Sequence, residues 1–331
     1  MSPRLTYLFS GNLNIMAIVD KFGGIHGAFS NLIYRSYRNM RILQMKPKKV
    51  KQTNNSKQAG KEFGLSSCTG RIIREVFDVI YAGYDGEMVN RLCSQVYQSI
   101  TASKTKQRGE RDLHDAELSY LEGFQFNNNS PLHKVMKVRP VVSLNQEGKV
   151  QVNLPAMRKD QLFKGPIRNH GKYTIRLMLA SFDFKKEVYS YIGHRNFSIM
   201  RNTAVEAQEW VFDEALPANR VIMLSMSLHA YTQDTVDGLQ SVNSKEWSPA
   251  EIIGAWHTPA VEEPASDEQS TEEENLMPMN DYWGNRLLQE IIALQAEIPP
   301  PLPNGPRVKR ERRFIEGPEP DLPTGDIKFN K

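Results

Sequence analysis

Apolar and polar positions change their rhythm several times along the chain. Residues 22 to 45 are glycine-punctuated and alternate with period two. FGGIHGAFSN places Gly23, Gly24 and Gly27 where turns are favoured. NLIYRSY and MRILQMKP follow, joined by Arg38 and Asn39. In the first arm Leu32, Tyr34 and Ser36 alternate with Ile33, Arg35 and Tyr37. In the second, Met40, Ile42 and Gln44 alternate with Arg41, Leu43 and Met45. Two alternating runs across a short polar joint predict a β-hairpin. Pro47 and the polar KQTNNS run end it.

The period then becomes helical. Phe63, Ile72, Ile73, Val76, Phe77 and Ile80 predict a helix over 54–82, with Thr53 or Ser56 as its cap. Gly60, Gly64 and Gly70 each weaken that helix by about 1 kcal/mol relative to alanine. They also let a neighbouring backbone come close. Met88, Leu92, Val96 and Ile100 recur every fourth position and predict a second helix over 86–102. Two helices joined at Gly83 and Asp85 form an αα-hairpin. A polar loop follows at 103–112. Residues 113–126 read as a short helix or extended connector, which NNNSP ends.

From 134 to 258 the rhythm is that of strands. VRPVVSLN and KVQVNLP flank the turn Gln146-Glu147-Gly148. In KYTIRLMLASFDF, Tyr173, Ile175, Leu177 and Leu179 alternate with Thr174, Arg176 and Met178. EVYSYIG, FSIMR, EWVF, RVIMLSMSLHAYT and IIGAWHT supply further strands. Seven or eight strands without intervening helical patterns predict an antiparallel β-sandwich, Ig-like in architecture. Beyond it, DYWGNRLLQEIIALQAEI is an amphipathic helix with Trp283, Leu287, Leu288, Ile291 and Leu294 near one side.

The resulting fold class is α+β: an N-terminal β-hairpin, an αα-hairpin, a β-sandwich, and a disordered C-terminal extension carrying one amphipathic helix. The expected divisions are an N-terminal extension (1–21), a basic hairpin and helical region (22–130), and the sandwich (134–258). An acidic linker (259–279), the helix (280–298) and a Pro-rich, basic tail (299–331) complete the chain. Met16 opens a more orderly pattern than the residues before it and is a candidate start. No repeat of fixed period is evident.

Composition adds the distribution of charge. The 331 residues are 40% apolar and 24% charged, with a formal net charge of +4. Nine basic and no acidic residues lie between Arg35 and Lys61; seven acidic and no basic residues lie between Glu262 and Glu274. Arg307, Lys309, Arg310, Arg312 and Arg313 form a second basic cluster. Segregated charge of this kind bears on partners more than the sum does. The acidic run lacks aromatic residues and should be disordered. Two cysteines, Cys68 and Cys93, argue against a disulfide scaffold and read as small buried residues. No apolar stretch reaches the roughly 18 to 20 residues that span a bilayer, and the N-terminus makes a poor secretory signal. The expected location is cytoplasmic, with no membrane partner.

Motifs for catalysis are missing. The sequence holds no CxxC pair, HExxH, Walker A loop, GxSxG elbow or GxGxxG. Gly23-Gly24-Ile25-His26-Gly27 lacks the Lys-Ser/Thr of a phosphate loop and reads as a turn. Seven histidines (His26, His114, His133, His170, His194, His229 and His257) are scattered without metal-binding spacing. His229 shares a strand face with Ser227 and Tyr231 and reads as a satisfied strand histidine. No cofactor, metal or catalytic residue is nominated.

Two surfaces are candidates for contact. Tyr34, Arg35, Tyr37, Arg38, Arg41, Lys46, Lys48, Lys49 and Lys51 interleave aromatics with cations, which suits phosphates and unpaired bases. The same lysines also suit a guarded strand edge. Trp283, Leu287, Leu288, Ile291 and Leu294 dock either back on the chain's own β module or on a partner helix or groove. Flexible sequence on both sides favours a protein partner or self-association.

The segment GGIHGAFSNLIYRSYRNMRILQMKPKKVKQTNNSKQAGKEFGLSS resembles a group of uncharacterised proteins common in Bacteroidetes genomes. The residues that carry the resemblance are Gly23, Gly27, Tyr34, Arg41, Lys46, Pro47, Val50, Thr53, Gln58 and Phe63. It implies a small N-terminal region followed by a β-rich domain, and no activity. The first expectation is therefore a non-enzymatic structural or interaction protein. A nucleic-acid-associated protein using the 35–61 surface comes second, and an enzyme with a dispersed site is the remote third.

Overall fold

The computed structural model describes residues 17–19, 21, 23–37, 40–46, 51–145, 148–159, 163–167, 171–201, 203–234, 238–259 and 275–297. The extension before residue 16, the acidic run and the Pro-rich, basic tail lie outside them, as do Arg38, Lys48 and Lys49. The fold is mixed α+β, with several antiparallel sheets and few helices.

The glycine-punctuated N-terminal segment forms more than one hairpin. Strands β1 (Ala17–Val19), β2 (Ile25–Phe29), β3 (Leu32–Tyr37) and β4 (Met40–Met45) make a four-stranded antiparallel meander. The positive φ of Ser30 accompanies the tight turn from β2 to β3, and that of Gly23 lies in the connection from β1 to β2.

Helix α1 (Asn54–Val76) begins at Thr53, whose Oγ1 accepts the Ser56 N–H at 3.3 Å. It ends before the expected 82, because Phe77 already leaves helical geometry. Helix α2 (Met88–Thr101) packs against it. The connector at 113–126 holds two 3-10 turns, Leu113–Asp115 and Leu118–Tyr120, and a four-residue helix α3 (Leu132–Val135) follows.

Strands β5 (Val141–Leu144), β6 (Val150–Leu154) and β9 (Gln208–Val211) form a three-stranded sheet in the order β5-β6-β9. A larger sheet is built around β7 (Gly171–Asp183), β8 (Val188–Met200) and β10 (Val221–Asp234). Short β11 (Gly238–Ser241) and β12 (Ala250–His257) share the outer edge of β10 end to end. Two-residue β13 (Met277–Pro278) pairs with the start of β8. Helix α4 (Gly284–Ala296) follows.

One correction concerns β8. EVYSYIG and FSIMR belong to a single 13-residue strand, although Gly193, His194, Arg195 and Asn196 interrupt its apolar pattern. β8 is nearly all edge. β7 covers one side and β13 reaches only Val188 and Tyr189 on the other, so polar residues and a bulge opposite Leu179/Ala180 are tolerated.

The central strands β7 and β10 are buried on both faces, which suits their near-continuous apolar runs. On one face Ile175, Leu177, Leu224 and Leu228 share a core with Val150, Val152 and Leu154 of the small sheet. On the other, Met178, Ala180, Phe182 and Met223 share a core with Ile72, Ile73, Phe77, Leu92 and Val96. The helical region, the large sheet and the segment leading into α4 therefore share one apolar core across the expected boundary at 130–134.

Candidate interaction surfaces and a serine–histidine pair

Helix α4 docks on its own chain. Ile291 is fully buried and Leu287 nearly so, while Leu288 packs against the same core from a half-buried position. The docking surface on α1 is shaped by glycine: a β-carbon at Gly64 would lie 3.3 Å from Leu287 Cδ1. Polar contacts fix the helix at both ends. Asn285 Nδ2 donates to Phe184 O (3.1 Å) and Glu187 Oε1 (2.8 Å), and Gln295 Nε2 donates to Arg108 O at 2.6 Å. Lys61 pairs with Glu290. Of the five residues expected to meet a partner, Leu287, Leu288 and Ile291 thus face their own fold, and Leu294 is half-buried. Only Trp283 remains largely exposed, at 52%. An amphipathic pattern identifies the face that will be buried; it does not say against what.

The N-terminal sheet is the opposite case. None of its residues belongs to either core, and none of its described apolar side chains is fully buried. Register assigns the faces, since cross-strand partners point the same way. Phe29 pairs with Leu32 and Leu32 with Met45; Gly27 pairs with Tyr34 and Tyr34 with Leu43; Val19 pairs with Ile25. These rows lie on one face, where Val19, Phe29, Leu43 and Met45 are 65%, 60%, 54% and 71% exposed. Arg41 occupies one corner of it. The opposite face is mixed: Ile18, Ala28, Ile33, Met40 and Ile42 accompany His26, Arg35 and Gln44.

The expected aromatic and basic cluster is therefore divided. Tyr34 and Arg41 fall on the apolar face and Arg35 on the other. Tyr37 is in register with Met40. Arg35, Arg41, Lys46 and Lys51 are exposed to solvent.

The nearest approach to catalytic geometry lies on β10. Ser227 Oγ and His229 Nε2 are 3.0 Å apart, and Arg176 Nη2 donates to Tyr231 Oη at 3.1 Å across the β7–β10 ladder. Burial, and then the Arg176 charge, pull the imidazole down to about 4, so the ring is neutral at pH 7 and a weak base. Ser227 is almost fully buried. Among the described residues no carboxylate hydrogen-bonds the ring, so the third member that would orient it is missing. Beside Arg176 a cleft of about 560 Å³ opens along β8, lined by Ile80, Met178, Tyr191, His194, Arg195 and Glu214. Arg195 is held there over the Phe212 ring, with its Nη2 donating to Val211 O at 3.0 Å.

Among the described residues, no three His, Cys, Asp or Glu side chains gather as a metal site requires. Cys68 and Cys93 are free and buried, and burial pushes the Cys68 thiol up to about 11, far from reactive thiolate. No described helix is long and apolar enough to cross a membrane. No family model, curated protein or solved structure matches the chain.

Proposed function

We propose that this is a non-enzymatic structural or interaction protein whose contact element is the N-terminal sheet. The observation that carries the reading is the apolar face of Val19, Ile25, Phe29, Leu43 and Met45, to which neither core of the body contributes a residue. A sheet gains stability by burying an apolar face against a second layer, and exposed apolar patches of this kind mark interaction sites. In this reading the body is a scaffold. Its two antiparallel sheets act as a sandwich, Ig-like in layering, and the shared core of β6, β7 and β10 supports that. Helix α4 strengthens the scaffold, and the expected location is the cytoplasm.

The test is the fluorescence of anilinonaphthalene sulfonate with highly diluted protein, where association is minimal. The full chain should enhance it, and Phe29→Ser with Met45→Ser should remove most of the enhancement. No enhancement by the full chain would sink the reading.

Nucleic acid remains the second reading, supported by the exposure of Arg35, Arg41, Lys46 and Lys51 around one small sheet. Filter binding of a single-stranded oligonucleotide at two salt concentrations separates the two, because phosphate contacts weaken steeply with salt. No binding at low salt would exclude it.

A further inference from the structure

We infer that the apolar face of the N-terminal sheet is covered by the same face of a second copy of this chain. The inference rests on the reading above and names its partner.

The first support is the charge pattern. Arg41 is the one charged side chain that register places on this face among the described residues, and it sits on β4 at one corner. Face-to-face pairing of two copies uses a two-fold axis in the plane between the sheets. If the axis runs along the strands, β4 lies over the partner's β1, three strand spacings from the partner's β4. That separates the two arginines by roughly 14 Å. If the axis runs across the strands, Arg41 is carried from the Ile25 row to the Phe29 row, four residues away and again roughly 14 Å. Either distance exceeds the Debye length of about 8 Å at physiological salt. The face can therefore oppose itself without like-charge repulsion. The opposite face has Arg35 near its centre, opposite Ile42, and would bring like charges together under the same operations.

The second support is size. Four strands at about 4.8 Å and five to six residues along each at about 3.4 Å give a projected face of roughly 350 Å² per copy. Side-chain relief raises this figure, but the contact, about 700 Å² for the pair, stays below the roughly 1,200–2,000 Å² that stable specific interfaces bury in total. A reversible, concentration-dependent dimer follows, and a permanent one does not.

The centre of the face is fixed by the register whichever axis applies. Tyr34 lies in the middle row on an inner strand, so it comes close to its own mate. Arg35 is its neighbour on β3 and faces the other way.

The test uses the full chain in sedimentation velocity from about 1 to 100 µM, with Tyr34→Cys and Arg35→Cys treated with a short bismaleimide, since facing sheets about 10 Å apart hold paired Cα atoms beyond disulfide reach. Cys68 and Cys93 are buried and leave a clean background. The expected result is dimer growth with concentration, crosslinked dimer for Tyr34→Cys and not for Arg35→Cys, and at least tenfold weaker association for Phe29→Ser. Linkage at Arg35→Cys instead, or a dimer linked at neither position, overturns the assigned face. A monomer throughout overturns the second copy. If that monomer still enhances the dye, the interaction reading stands with another partner; if it does not, both fall. Sedimentation of Phe29→Ser keeps the test decisive should Tyr34→Cys fold poorly.

Discussion

Ile291 of α4 lies directly over Gly109: a β-carbon on that glycine would sit 3.1 Å from Ile291 Cγ2. Gly109 also has φ +94°, where side chains are strained. Both terms oppose Gly109→Ala, which should cost about 1–3 kcal/mol in urea unfolding. Ile291→Ala should cost about 2–5 kcal/mol. Because the two positions touch, the double variant should lose less than the sum. Strict additivity would mean that α4 is not seated there.

Asp183 anchors the turn between β7 and β8. Burial pushes its carboxyl up, but His114, the Lys186 N–H and the Arg220 guanidinium at 2.6 Å outweigh this and hold it at about 2. With an ordinary value of 3.8, the carboxylate stabilises the fold fully above pH 4 and loses that contribution as pH falls towards 2. At about 1.4 kcal/mol per unit the contribution is roughly 2 kcal/mol. Asp183→Asn should therefore be less stable than the parent at pH 7, and the gap should narrow in acid. A gap independent of pH would contradict the ion pair.

His229 also costs stability in acid, because folding favours its neutral form. Its value falls from 6.5 to about 4 on folding. The unfolded chain therefore takes up a proton below pH 6.5 that the folded chain refuses until about pH 4, and stability drops across that window. The ceiling is roughly 3 kcal/mol, and partial solvent access lowers it. His229→Gln should flatten the stability curve between pH 7 and 4, measured by chemical unfolding at each pH.

Glu62 is a buried carboxylate on α1, bound by Arg111 Nε at 2.6 Å and Arg108 Nε at 3.1 Å. Glu62→Gln leaves two guanidinium groups with a neutral partner. A loss of about 3–5 kcal/mol is expected, and raised salt should recover little of it, since the site is shielded from solvent. Full recovery in salt would place the carboxylate in water.

Much of the body was legible because its pattern has one meaning. Tyr173, Ile175, Leu177 and Leu179 read as one strand face and are buried as one. Thr53 or Ser56 read as the helix cap, and it is Thr53 that caps, accepting the Ser56 N–H. Legibility failed where local sequence did not decide the matter. His194 to Asn196 looked like a break, since an edge strand need not keep an apolar rhythm. β11 and β13 were too short to show a period. The partner of α4 depended on Gly64 and Gly109, which are distant in sequence from the Leu287 and Ile291 they receive. The candidate cations and aromatics were adjacent in sequence, yet register divided them between two faces.

The salt bridge between Lys61 and Glu290 joins positions 229 residues apart. Helix α1 therefore emerges from the ribosome long before the segment that covers it. At roughly 5–20 residues per second, the seat around Gly64 and Leu65 waits on the order of 10–50 s for Leu287 to be made. During that interval the apolar flank of α1 is open to any hydrophobic surface in reach. The order of synthesis, as much as the finished contacts, decides how safely this chain reaches its native state, and a chaperone that masks α1 would be most useful before residue 290 is translated.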